Sequence, residues 1–132
     1  MIEKIKDVIE NSNGFMKDNE FKIISLNEKE CVMEYIVKDN ALNPYGMVHG
    51  GILFGFADSA AASLACMSGK YPVTIDCGVH YMNAAKCKKL IAKASLLKLG
   101  NNIGFYKVDI FDENDTLICS SNIDMYLKKI DK

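Results

Sequence analysis

The sequence predicts an α+β domain in which one antiparallel sheet of five or six strands packs on one side of a single long helix. Three observations predict it. Residues 52–67 form a nearly unbroken apolar run whose only charge is Asp58. Apolar residues fall all round its helical projection, which predicts a buried helix rather than a surface one. After Pro72 the hydrophobic period changes to two, the period of strands. The 132 residues, about half of them hydrophobic, supply a core for one domain, residues 1–132.

Taken in order, Ile2, Ile5, Val8 and Ile9 recur at helical spacing with lysines and acids between them, an amphipathic helix ended by Asn13-Gly14. Residues 21–26 and 31–37 read as strands joined by a hairpin turn at 27–30. The turn-rich loop 43–51 opens into the central helix, which runs to about Gly69, where Lys70-Tyr71-Pro72 closes it and the proline bars continuation. In the next strand Val73, Ile75, Cys77, Val79 and Tyr81 share an apolar face, and Thr74, Asp76, Gly78, His80 and Met82 a polar, small one. That division suits packing on one side and a site or subunit seam on the other. Residues 90–99, 103–111 and 117–127 are further strands, with Gly100-Asn101-Asn102 as a turn, and the last hydrophilic residues read as a frayed end. A sheet of this size half covers the helix, and two chains side by side would extend the sheet and shield both helices.

Composition narrows the function. The net charge of −1 favours neither nucleic acid nor a membrane surface. All sixteen positive side chains are lysine, so bidentate phosphate clamps are absent. The first residues are an amphipathic mix rather than a leader. The long apolar run is broken by Asp58, Ser59, Ser63 and glycines and flanked by strand patterns, which argues against a membrane span. Five cysteines without Cys-x-x-Cys point to a reducing cytoplasm, and Cys66 reads as a small hydrophobe. His49 and His80 with Asp76 or Asp58 lack metal-ligand spacing, so no metal is expected.

A carboxylate two turns into a buried helix is costly to ionise and marks a candidate site. The helix start offers free amides with positive partial charge, suited to an oxyanion. Asp58 lies eight residues beyond Gly50, roughly 12 Å along the axis at 1.5 Å per residue. Reacting atoms must approach within about 3–3.5 Å. If both groups are catalytic, a second copy must bring its Asp58 to this Gly50, which predicts a symmetric dimer with sites at the interface.

Asn43, Gly46, His49, Gly50 and Gly51, followed by Phe56, Ala57, Asp58 and Ala60, resemble the motif of hotdog-fold acyl-coenzyme A thioesterases of the phenylacetyl-coenzyme A type. The resemblance continues through residues 73–76 and 81–86 and resumes at Leu99-Gly100. It implies a hotdog fold, a sheet wrapped round the central helix and paired across a dimer or a dimer of dimers, and hydrolysis of an acyl-coenzyme A thioester with no cofactor beyond the substrate's own coenzyme. It implies that Gly50 and Asn43 polarise the thioester carbonyl, that Asp58 acts as base or nucleophile, and that Thr74 holds the water. Read without it, Asn43 is a turn former and Thr74 a strand residue. His49 and Gly51 are expected to shape the loop and contact substrate. Tyr81, Asn83 and Lys86, with Lys98, Gly100, Asn101 and Asn102, are implied to line the coenzyme groove. Ala84 stands where the family usually has proline, and Asn101 where it has a basic residue, which leaves coenzyme A and acyl-carrier-protein donors both open. The alternatives from other classes are a non-catalytic hotdog module that senses acyl-coenzyme A or a metabolite, and an acyl-thioester dehydratase.

Overall fold

The computed structural model describes residues 1–130; of the expected frayed end, residues 131 and 132 lie outside the described residues. Helix α1 (Ile2–Asn11) and a one-turn helix α2 (Phe15–Asp18) precede strands β1 (Lys22–Leu26) and β2 (Glu30–Ile36). Helix α3 (Gly50–Ala65) follows, then β3 (Tyr71–Tyr81), β4 (Lys89–Leu99), β5 (Ile103–Asp112) and β6 (Leu117–Lys128). The strands form one antiparallel sheet in the order β1-β2-β4-β5-β6-β3. It curls round α3, which touches β2 through β6. This is the α+β, hotdog arrangement expected, with six strands.

The core lies between α3 and the concave face of the sheet. Phe56, Ala57, Ala60, Ala61, Leu64 and Ala65 of the helix meet Met33, Tyr35, Leu90, Val108, Ile110, Ile123 and Met125 of the strands. Fully burying each large side chain contributes about 1.5–3 kcal/mol. Phe21, Tyr35 and Phe56 stack edge-on and tilted at 4.9–5.8 Å between ring centroids, pinning the first hairpin to the helix. The segment Gly50–Ser68 is long and apolar enough by composition to cross a membrane, and half of it is buried inside this fold.

Four local features differ from the expectation. The helix is not buried all round: Gly55, Asp58, Ala62 and Cys66 are only half-buried and, spaced by three and four residues, fall on one face. Proline does not close the helix. Gly69 does, at φ +78° after a 3-10 turn, a conformation that favours glycine. Pro72 instead stands inside β3, where a missing N–H is tolerated because β3 is an edge strand. Finally, β3 carries a bulge between Thr74 and Asp76, so Ile75 has no partner on β6.

The bulge reverses which residues face the helix. Before it, Thr74 lies opposite the buried Met125; after it, Cys77, Val79 and Tyr81 lie opposite the buried Ile123, Ser121 and Cys119. Directly opposed residues of antiparallel strands share a face. Thr74 and Tyr81, seven residues apart, therefore both turn inward, and the expected single apolar face of β3 is split. Val73 and Ile75 turn outward, 53% and 52% exposed.

Candidate active site

The loop before α3 is built by two side chains. Asn43 Oδ1 accepts hydrogen bonds from the amides of Tyr45 (2.9 Å) and Met47 (3.1 Å), an Asx turn that folds the loop back on itself. Its Nδ2 amide donates to nothing among the described residues. The loop role and the carbonyl-contact role of Asn43 are thus compatible, because they use different atoms. Asn43→Asp keeps the loop acceptor and loses the Nδ2 donor, whereas Asn43→Ala loses both. In chemical denaturation the alanine variant is expected to lose about 1–2 kcal/mol and the aspartate variant much less. Equal losses would show that the loop does not depend on Oδ1.

His49 caps the helix, its Nδ1 accepting from the Gly51 amide at 2.8 Å. The other ring nitrogen, Nε2, is left for a further partner. The amides of Ile52 and Leu53 both reach the His49 carbonyl. Of the first four helical amides, Gly50 alone has no acceptor among the described residues. Gly51 is half of the cap: a Cβ there would sit 3.0 Å from His49 Nδ1. The Tyr81 hydroxyl donates to the Gly50 carbonyl at 2.9 Å, and its ring would lie 3.4 Å from a Cβ on Gly50. Tyr81 thus braces the peptide that follows the free amide. A groove of about 290 Å³ opens here, lined by Asn43, Gly50, Leu53, Tyr81 and Asn83.

Two turns along, Asp58 stands on the open face of α3. The Thr74 hydroxyl donates to its Oδ1 at 2.5 Å and lies 3.4 Å from Met125 Sδ. Burial pushes the Asp58 carboxyl above the usual carboxylate range, and the Thr74 hydrogen bond opposes that rise. A carboxylate poised in this way, with one oxygen anchored and the other open, is equipped to take a proton from water. Thr74, expected to hold the water, spends its one proton on Asp58 and keeps its lone pairs for an incoming donor. Cys77 comes to the same side. Burial pushes its thiol up, and the neighbouring Asp58 and Asp76 add to the rise.

One chain does not bring all the expected residues together. Asn43, His49, Gly50, Gly51, Tyr81 and Asn83 gather at the helix start. Asp58 and Thr74 sit two turns further on. Lys86 lines a separate groove with Lys38, Tyr45 and Lys88. Lys98, Gly100, Asn101 and Asn102 lie at the far end of the helix. There Lys70 Nζ donates to the Asn101 carbonyl at 2.6 Å, and the Leu127 amide to the Asn102 carbonyl. The brace from Tyr81 to Gly50 and the contact of Thr74 with Met125 were not foreseen, because turning Thr74 and Tyr81 to the same side takes the bulge at Ile75.

With this geometry in hand, the relatives are informative. The thioesterase superfamily profile matches residues 45–119. The chain is similar to a protein of Archaeoglobus fulgidus named as an esterase, 30% identical over 127 residues, covering 96% of this chain and 82% of that protein. In fold it resembles a thioesterase from Haemophilus influenzae at a TM-score of 0.89 and 21% identity, covering 100% of this chain and 93% of that one. It also resembles a Streptococcus pneumoniae thioesterase protein solved with coenzyme A, at a TM-score of 0.80 and 24% identity, covering 85% of this chain and 88% of that one. Two further structures of a Streptococcus pneumoniae thioesterase protein, each at a TM-score of 0.79 and 23% identity, carry alanine for a threonine and for an aspartate sixteen positions apart. The match over the loop, the helix and the sheet places this chain in the thioesterase superfamily, as a hotdog-fold thioester hydrolase.

Proposed function

We propose that the protein hydrolyses acyl-coenzyme A thioesters in a homodimer whose two sites each combine Gly50 and Asn43 of one copy with Asp58 and Thr74 of the other. The observation that carries this reading is the Asp58–Thr74 pair, a half-buried carboxylate anchored by a hydroxyl on an open helix face. Gly50 supports it as the one helix-start amide without an acceptor among the described residues. Two such donors and one such base are what acyl transfer to water requires.

The need for a second copy follows from distance and from the sheet. Gly50 and Asp58 of one chain stand roughly 12 Å apart along the helix. Strand β3 is an eleven-residue edge with Tyr71, Val73 and Ile75 exposed. A long apolar edge of this kind invites pairing. Because β3 passes Asp58 at Thr74 and the helix start at Tyr81, a symmetric β3–β3 pairing would set one copy's helix start against the other's carboxylate. The same pairing would bring the turn at Lys98–Asn102 toward the partner's Tyr81, Asn83 and Lys86, giving the coenzyme one continuous groove. Two such dimers joining as a tetramer go with this reading.

In the reaction, the thioester oxygen accepts from the Gly50 amide and Asn43 Nδ2. Water held by Asp58 and Thr74 gives a proton to the Asp58 carboxylate as its oxygen bonds to the carbonyl carbon. The tetrahedral adduct expels the coenzyme A thiolate, and the proton on Asp58 returns to it, leaving the free acid. The reading calls for no cofactor beyond the coenzyme of the substrate, and five unpaired cysteines fit a cytoplasmic setting. The test is thiol release from acetyl, hexanoyl, decanoyl and aromatic coenzyme A thioesters. Turnover of at least one at 1 s⁻¹ or more, on the order of an ordinary enzyme, is expected. Tight binding with no turnover would replace the hydrolase with a sensor.

A further inference from the structure

The open face of α3 continues past Asp58 through Ala62 to Cys66, and there it meets a cavity that the proposed chemistry does not use. The cavity has a volume of about 320 Å³ and apolar walls formed by Ile5, Val8, Cys66, Tyr71 and Ile130. Its size is at the lower end for small-molecule sites. Lys4 and Lys70 supply the only charged side chains among its lining residues, which also include Met1, and Lys70 is already bonded to the Asn101 carbonyl.

The N-terminal helices make this cavity. Glu10 of α1 accepts from the Ile23 amide at 2.9 Å, which ties the helix to the β1 edge. Phe15 of α2 lies directly on Gly55, so close that a Cβ there would sit 2.7 Å from its ring. Thus Phe15 covers α3 at Gly55 and Ile5 and Val8 come to it at Cys66, one at each end of the face that carries Asp58. Strand β3 forms the other wall, with Thr74 beside Asp58 and Tyr71 at the cavity. The floor from Asp58 to Cys66 is two turns of helix, roughly 12 Å.

We infer that this cavity is the acyl-chain end of the site and that the protein takes straight-chain aliphatic acyl groups long enough to reach it from Asp58. The inference rests on the thioesterase reading above and adds the substrate class and the residues that set it. The occupant is the acyl tail because the cavity adjoins the proposed reacting centre along one helix face and because its walls offer an apolar chain no polar partner to satisfy. Val8 of α1 and Tyr71 of β3, both in the lining, set the length limit.

The test compares wild type with Val8→Trp, a substitution on the half-exposed side of α1 that fills the cavity without touching the core. Each methylene that enters the cavity should raise kcat/KM by roughly fourfold. Wild type is expected to favour decanoyl over acetyl coenzyme A at least tenfold, and Val8→Trp to erase that preference while changing acetyl turnover less than twofold. The same chain-length profile in both proteins would overturn the inference. So would hydrolysis confined to acetyl and aromatic thioesters. Either result leaves the thioesterase reading standing. If no thioester is hydrolysed, that reading fails by itself, and calorimetric titration with decanoate decides the cavity. Binding to wild type that Val8→Trp abolishes supports it, and no binding to wild type overturns it.

Discussion

Asp58→Asn is expected to lower thiol release by roughly 10²–10⁴-fold, the contribution of a positioned base, while leaving the melting temperature unchanged or higher. The two halves of this result have one cause. Asn keeps an oxygen for the Thr74 hydroxyl at the position of Oδ1, so the hydrogen bond of 2.5 Å is retained in kind. What it removes is an ionised group that the fold partly desolvates. Because burial raises the Asp58 pKa in the folded chain, the folded state holds that proton more tightly than the unfolded one. The stability this group contributes is present at low pH and is lost as pH rises through the raised value. At neutral pH the carboxylate is therefore a cost to the fold, which is why the asparagine should not lower the melting temperature. A variant that loses activity together with several degrees of melting temperature would mean that Asp58 is a structural tie.

The pH profile gives a second reading of the same group. The acid limb of kcat/KM should have its midpoint above the ordinary carboxylate range, since water loses its proton only to the ionised form. Thr74→Val removes the hydrogen bond that opposes the rise, so the limb should move to still higher pH. A hydroxyl that merely filled space would leave the limb where it was.

Much of this arrangement was legible in the sequence because it is carried by strong periodicity. The first helix follows from Ile2, Ile5, Val8 and Ile9, the first hairpin from its turn at 27–30, the central helix from the apolar run 52–67, and the later strands from the change of period at Pro72, with the count open between five and six. The pairing of Asp58 with Thr74 came only through the resemblance, since no spacing rule connects a helix residue with a strand residue sixteen positions later. The bulge at Ile75 was invisible: one extra residue in a strand rich in β-branched side chains leaves no compositional mark. That one residue puts Thr74 and Tyr81 on the same side, so strict alternation was right for Cys77, Val79 and Tyr81 on the packed face and wrong for Val73 and Ile75. The open face of α3 was hidden for a different reason. Alanine, glycine and cysteine are apolar enough to read as core, yet small enough to leave a floor on which another molecule can lie. Pro72 misled because proline ends helices and is also welcome on an edge strand, and only the sheet order distinguishes the two.

The second large effect tests the donor rather than the base, and with it the interface. Gly50 is the first residue of α3, where proline is well tolerated because the lost N–H has no helical acceptor. His49 before it has φ −62° and ψ 136°, a conformation that accepts a following proline. The nearest atom to a new Cβ is the Tyr81 ring at 3.4 Å, a contact that a small rotation relieves. Gly50→Pro should therefore fold and dimerise while deleting one N–H, and kcat should fall by about 10²–10³-fold, the worth of one oxyanion donor. Circular dichroism and sedimentation check the fold and the dimer. Mixing then decides which chain each group serves. If Gly50 of one copy works with Asp58 of the other, a heterodimer of Gly50→Pro and Asp58→Asn carries both lesions in one site and none in the other. An equimolar mixture, unfolded and refolded together to exchange subunits, should recover about a quarter of wild-type activity, since half of the random pairs are mixed and each has one intact site. If both groups served a site within one chain, every site in the mixture would be damaged and activity would stay at the level of the single variants.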